Sequence, residues 1–139
     1  MDIFKKQNIE RYKTFNEIGI LKNLGIEFLS ADNGIVKAKM PVDDRTKQPF
    51  GILHGGASIV LAESLGSVAS GLIIDQDKYT TVGLEVNGNH IRPVESGFVY
   101  GEASAIHIGK KTHIWSIRIT NEEGKLVCIS RLTTAIIEK

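Results

Sequence analysis

The sequence predicts an α+β fold, with an antiparallel sheet wrapped around one long central helix. Residues 57–74 carry Ala57, Val60, Leu61, Leu65, Val68, Ala69 and Leu72, apolar on almost every side, which is the pattern of a buried helix. After the polar turn Asp75–Lys78, apolar and polar residues alternate with period two, as half-buried strands do. Asn121-Glu122-Glu123-Gly124 reads as a hairpin turn, with Gly124 suited to a positive φ.

In chain order, residues 8–22 place Ile9, Tyr12, Phe15 and Ile18 or Leu21 at near-helical spacing and predict a helix. From Ile35, the inward set Val36, Ala38 and Met40 alternates with Lys37 and Lys39, which predicts a strand. Residues 41–56 hold Pro41, Asp43-Asp44, Pro49-Phe50-Gly51 and Gly55-Gly56, and predict a loop. Beyond the long helix, Val82, Leu84 and Val86 are expected on one strand face. A small-residue strand follows over 97–106 around Gly101, Ala103 and Ala105; the next strand aligns His113, Trp115, Ile117 and Ile119. Leu126–Ile137 is the long final strand. No linker, repeat or low-complexity tract divides the chain, so residues 1–139 are expected to form one domain.

Composition narrows the function. Seventeen Lys+Arg against 16 Asp+Glu leave a net charge of +1, which is not the basic footprint of a nucleic-acid binder. The hydrophobic fraction of 42% and charged fraction of 24% are those of an ordinary globular protein. One cysteine, Cys128, forms no intramolecular disulfide and fits a reducing compartment. The N-terminus has no apolar stretch of signal-peptide length, and Glu63, Ser64 and Ser67 interrupt the longest apolar region. The expectation is a cytoplasmic protein without a membrane partner. The four histidines lack metal-ligand spacing, so no metal site is expected. Gly56-Ala57-Ser58-Ile59-Val60 is not a nucleophile elbow, because Val60 stands where the motif needs glycine. Phosphate-binding glycine motifs are missing too. Cys128 and His113, each within an apolar strand pattern, read as packed side chains.

The residue that stands out is Glu63, a carboxylate on the apolar helix with no Lys or Arg within one turn. Burying such a group is costly unless it is paired or protonated. It either points to solvent or pairs across the sheet, or it serves chemistry that exploits its environment. Ser67 and Ser70, at i+4 and i+7, share its stripe. Gly55 and Gly56 at the helix start expose N–H groups with no intrahelical acceptor, at the positive end of the helix dipole. Gln48 and His54 add an amide donor and an imidazole on the same loop. A carbonyl polarised at Gly55 and attacked by Glu63, or by water that Glu63 activates, makes a coherent hydrolytic site.

The run Gln48-Pro49-Phe50-Gly51-Ile52-Leu53-His54-Gly55-Gly56-Ala57-Ser58 with Leu61-Ala62-Glu63-Ser64-Leu65-Gly66-Ser67 resembles the hotdog-fold thioesterases. Val82–Pro93, His107-Ile108-Gly109 and Ser130–Ile136 carry the same resemblance, which covers residues 24–137. Within that fold family, the blocks resemble the branch with a helix glutamate that hydrolyses aromatic acyl-CoA thioesters, especially bacterial 1,4-dihydroxy-2-naphthoyl-CoA thioesterases. The resemblance implies Glu63 as nucleophile or general base. It implies Gln48, His54 and the Gly55 N–H as carbonyl ligands, and Ser67 as an orienting hydroxyl. His90 would line the acyl pocket; Val82 is expected among the substrate- or CoA-binding residues, as is Val68, whose moderate bulk next to Ser67 leaves room for a two-ring acyl group. Asn89, Ile91 and Arg92, with His107, Ile108, Gly109, Lys110, Lys111 and Thr112, would hold CoA. It also implies homo-oligomers with sites at a dimer interface, usually tetramers, and no cofactor beyond the CoA carried by the substrate. A proofreading thioesterase acting on an acyl carrier protein, a hotdog dehydratase and a non-catalytic acyl-CoA-binding module are the competing readings.

Overall fold

Alternation at the chain's first strongly patterned strand sets the inner face of the sheet. The computed structural model describes residues 2–139, and strand β2 (Ile35–Pro41) buries Val36, Ala38 and Met40 while Lys37 reaches Glu102 on the neighbouring strand. Strands β1 (Glu27–Asp32), β4 (Phe98–Ile108), β5 (Thr112–Thr120), β6 (Leu126–Glu138) and β3 (Tyr79–His90) complete a six-stranded sheet in the order β1-β2-β4-β5-β6-β3. Each pairing is antiparallel. The long helix α3 (Gly55–Ile73) lies in the concave side, burying Leu61, Leu65, Val68 and Leu72 against Trp115, Ile117, Ile119 and Leu132. It is the one helix among the described residues that is long and apolar enough to span a membrane, and it is the buried core helix.

Two expectations are corrected, and one further strand is found. Residues 8–22 are not one helix: α1 (Lys6–Lys13) passes through a 3₁₀ turn over Thr14–Glu17, and α2 (Gly19–Leu24) starts anew. Gly19, at φ 59, breaks the path in a backbone conformation that side-chain-bearing residues avoid. Strand β1 escaped the period-two reading because a bulge between Phe28 and Ser30 shifts its alternation. A second bulge separates Val82 from Val86. Gly83 pairs with Thr134 and Glu85 with Thr133, so Leu84 is the extra residue and the strand changes face there. Val82 and Leu84 end up exposed, at 44% and 60%, while Val86 packs against the core.

Candidate active site

The loop before α3 is held by short-range hydrogen bonds. Asp43 accepts from the Arg45 N–H and side chain, and its carbonyl receives the N–H groups of Thr46 and Lys47. The hydrogen-bonded Arg45 side chain holds the Asp43 carboxyl below its usual range. Buried Thr46 donates its hydroxyl to the Pro41 carbonyl at 2.7 Å, and its own carbonyl accepts the His54 N–H at 2.8 Å. This knits Gln48 and His54 into one rigid turn. The Gln48 side-chain oxygen accepts the Phe50 N–H, which leaves the amide NH₂ free to donate elsewhere.

His54 is the N-cap of α3, and its Nδ1 accepts the Gly56 N–H at 2.8 Å. In the neutral ring the proton therefore sits on Nε2, making it an outward donor. The Gly55 N–H has no acceptor among the described residues. The His90 ring packs on Gly55 so closely that a Cβ there would stand 2.7 Å from Nε2. Gln48, Gly55, His90, Ile91 and Arg92 line one cleft of about 470 Å³. Arg92 is oriented by a 2.8 Å bond from Nη1 to the Leu126 carbonyl.

Glu63 occupies a different cavity, of about 590 Å³, together with Val60, Ser64, Ser67 and Val68. The carboxylate is exposed in the single chain rather than buried, and no hydrogen bond joins it to Ser67 among the described residues. Its Oε1 lies against β3, where a Cβ at Gly83 would come within 2.6 Å. Gly83 was missed by the site reading, although a lone glycine within a strand pattern signals a bulge or a close approach. Gly55 and Glu63 are eight residues apart on one helix, which separates them by about 12 Å along its axis. One chain does not bring the Gly55 N–H and the Glu63 carboxylate together.

The remaining predicted positions scatter. Val82 lies on the outer face of β3, away from the Glu63 cavity, because of the bulge. Asn89 sits at the exposed end of β3, beside His90. His107 and Ile108 end β4, and Gly109-Lys110-Lys111-Thr112 turns into β5, closed by the Gly109 N–H on the Thr112 carbonyl at 2.9 Å. Both lysines are exposed, and neither forms an ion pair among the described residues. Ser70, the third member of the polar stripe, turns into the core instead. Its Oγ meets Trp115 Nε1 at 2.8 Å, His113 Nδ1 at 2.9 Å and Thr134 Oγ1 at 2.9 Å. Burial lowers the His113 pKa.

The thioesterase superfamily model matches residues 50–128, more than half of the chain. The chain is 46% identical over 133 residues to the 1,4-dihydroxy-2-naphthoyl-CoA hydrolase of Escherichia coli, covering 96% of this chain and 97% of that one. It is 44% identical over 122 residues to the proofreading thioesterase EntH of Klebsiella pneumoniae, covering 88% of each. The crystal structure of a glutamine-to-alanine mutant thioesterase from Pseudomonas aeruginosa superposes with a TM-score of 0.95 at 47% identity, covering 99% of this chain and 100% of that one. A helix start with a free donor, a carboxylate two turns on and the sheet wrapped around both thus carry the family's sequence: the chain belongs to the thioesterase superfamily and has its hotdog fold.

Proposed function

We propose that this thioesterase hydrolyses an aromatic acyl-CoA, with 1,4-dihydroxy-2-naphthoyl-CoA as its leading substrate, in sites built by two copies of the chain. The observation that carries the two-chain site is the separation of Gly55 from Glu63 along one helix, in separate cavities. Strand β3 is a sheet edge of 12 residues with Val82 and Leu84 exposed, a surface made for pairing with another strand. Two β3 edges pairing antiparallel about a two-fold axis set the His90 end of one against the Gly83 half of the other. Since His90 packs on Gly55 and Glu63 lies on Gly83, this pairing joins the donors of one chain to the carboxylate of its partner. Exposed Ile106, Ile108 and Ile137 offer apolar area for pairing dimers into a tetramer.

In that site the thioester oxygen accepts from the Gly55 N–H and the Gln48 amide, aided by the helix dipole and His54 Nε2–H. Glu63 attacks the carbonyl carbon or takes a proton from the water that does. The C–S bond breaks, CoA leaves as the protonated thiol, and water supplies the acid's new oxygen. Ser67 lines the same cavity and orients water or the carboxylate. Val68, of modest bulk, leaves room for a two-ring acyl group. Asn89, His90, Ile91, Arg92 and the His107–Thr112 turn hold CoA, with Lys110 and Lys111 facing its phosphates. CoA is part of the substrate, so the reaction needs no cofactor, and CoA esters fit a cytoplasmic enzyme.

The naphthoyl reading is supported by the identity to the E. coli hydrolase over nearly the full chain. A second reading, clearance of misloaded aryl groups from an acyl carrier protein, is favoured by the similarity to the Klebsiella proofreading enzyme. Comparing kcat/KM on 1,4-dihydroxy-2-naphthoyl-CoA, other aryl- and fatty acyl-CoAs and aryl-carrier thioesters, followed by free thiol release, tests both. The highest value is expected on the dihydroxynaphthoyl ester. Preference for the carrier thioester would replace the first reading with the second. Binding without thiol release would overturn both.

A further inference from the structure

The Glu63 cavity extends well beyond the groups that hydrolysis needs. Glu63, Ser67 and Gly71 follow one another at four-residue steps on α3 and all line it, so it runs about 12 Å along the helix from the carboxylate. Phe15, Ile20 and Leu21, from the segment that precedes β1, line it together with Val60 and Val68 of α3. Tyr12 stands at the Gly71 end.

A second, smaller cavity lies beyond Tyr12, lined mainly by the apolar side chains of Ile9, Phe28, Ala31, Val36 and Leu72. Tyr12 and Val68 line both cavities, so these two side chains form the partition between them. The second cavity measures about 30 Å³, room for about one water-sized group while the Tyr12 ring is in place.

Tyr12 is held firmly in that position. Its hydroxyl accepts from Gln76 Nε2 at 2.9 Å and lies against Gly71, where any Cβ would collide with it. Its ring packs edge-on against Phe15, with centroids 4.8 Å apart. Helix α1, which carries Tyr12, is tied in turn to the end of α3. The buried Asn8 amide donates among the Gly71, Leu72 and Ile74 carbonyls, each 3.4 Å away, and the Lys5 N–H donates to the Leu72 carbonyl at 2.9 Å. The last carbonyls of a helix lack partners within it, so these bonds fasten α1 where α3 needs donors.

We infer that Tyr12 is the depth stop of the acyl pocket: its ring halts a rigid acyl group at Gly71 and keeps it out of the apolar cavity beyond. The class admitted is a compact aromatic acyl group whose far end is hydrocarbon and meets the Tyr12 and Phe15 rings. A longer rigid acyl group is refused, because it needs the space that the Tyr12 ring fills. The inference rests on the reading of the Glu63 cavity as the site of an aryl-CoA. In an apolar pocket a single methylene changes kcat/KM by about 10–200-fold, so one blocking ring is enough to discriminate.

The test compares kcat/KM on 2-naphthoyl-CoA and on 2-anthroyl-CoA, one fused ring longer, followed by thiol release. The wild-type protein is expected to favour the naphthoyl ester by at least about tenfold. Tyr12→Ala joins the two cavities and should erase most of that ratio, while Tyr12→Phe, which keeps the ring, should retain it. Ala31→Leu placed in the Tyr12→Ala protein refills the second cavity and should restore the ratio, which a general loosening of the fold would not allow. Tyr12→Leu, shorter than the ring yet apolar, reads the same ratio if Tyr12→Ala does not fold. Equal rates of the wild type on the two esters, or a ratio unchanged once the ring is removed, overturn the depth stop. Failure of the folded wild-type protein to release thiol from either ester overturns the aryl-CoA reading itself, a distinct outcome.

Discussion

Ser70 and Glu63 lie on the same helix, and their environments give them opposite fates. Ser70 is wholly buried and ties three side chains from β5 and β6 to one hydroxyl. Ser70→Ala leaves the Trp115 N–H donor, the Thr134 hydroxyl and His113 Nδ1 without their partner, and should cost about 1–3 kcal/mol in urea unfolding. Glu63 is exposed and makes no such bonds among the described residues, so Glu63→Gln should leave the unfolding midpoint unchanged. The same change should lower kcat by at least about a hundredfold with CoA affinity intact; retained turnover would remove Glu63 from the chemistry. His113 adds a pH dependence. Its folded pKa lies below the ordinary 6.5 because the ring is desolvated, so below that pH the unfolded chain binds more protons than the folded one. The contribution of His113 to stability is complete above pH 6.5 and is lost as pH falls through the folded value. Urea midpoints measured downward from neutral pH should decline, and a flat profile would contradict the assignment.

At the scale of elements, helix α3 was legible because an all-round apolar run has few homes other than a core, and strands β2, β5 and β6 because their alternation is uninterrupted. Where the pattern misled, an extra residue had been inserted. The bulges at Leu29 and Leu84 hid β1 and reversed the inferred face of Val82, since register, not composition, decides which side a strand residue takes. The candidate residues of the proposed site were legible by type. Glycines, a glutamine and a histidine around a helix start announce donors wherever they fold. The placement of those donors relative to Glu63 depends on α3 being straight and continuous, and Gly83 matters only because β3 passes over the carboxylate. Gly83→Ala should displace Glu63 and lower kcat, with a smaller effect on the melting temperature than on turnover. An unchanged kcat would show that the carboxylate does not need that berth.

For the whole molecule, the proposed pairing of two β3 edges would make activity depend on association. Val82 and Leu84 are exposed on that strand. Leu84→Arg places a charge on it and should shift the protein toward monomer in sedimentation, with specific activity falling in parallel and recovering at high protein concentration. Activity that does not depend on concentration in this variant would place the complete site within one chain.

The eight-residue gap between Gly55 and Glu63 has a genetic consequence as well. When donors and carboxylate come from different chains, a defect in each can be carried separately. Glu63→Gln subunits mixed with Gln48→Ala subunits would form hybrids in which one of the two sites holds only intact parts. Random reassociation of equal amounts should then restore about a quarter of wild-type activity from two preparations that are nearly inert alone. Two alleles, each a loss of function, would complement one another in a single cell.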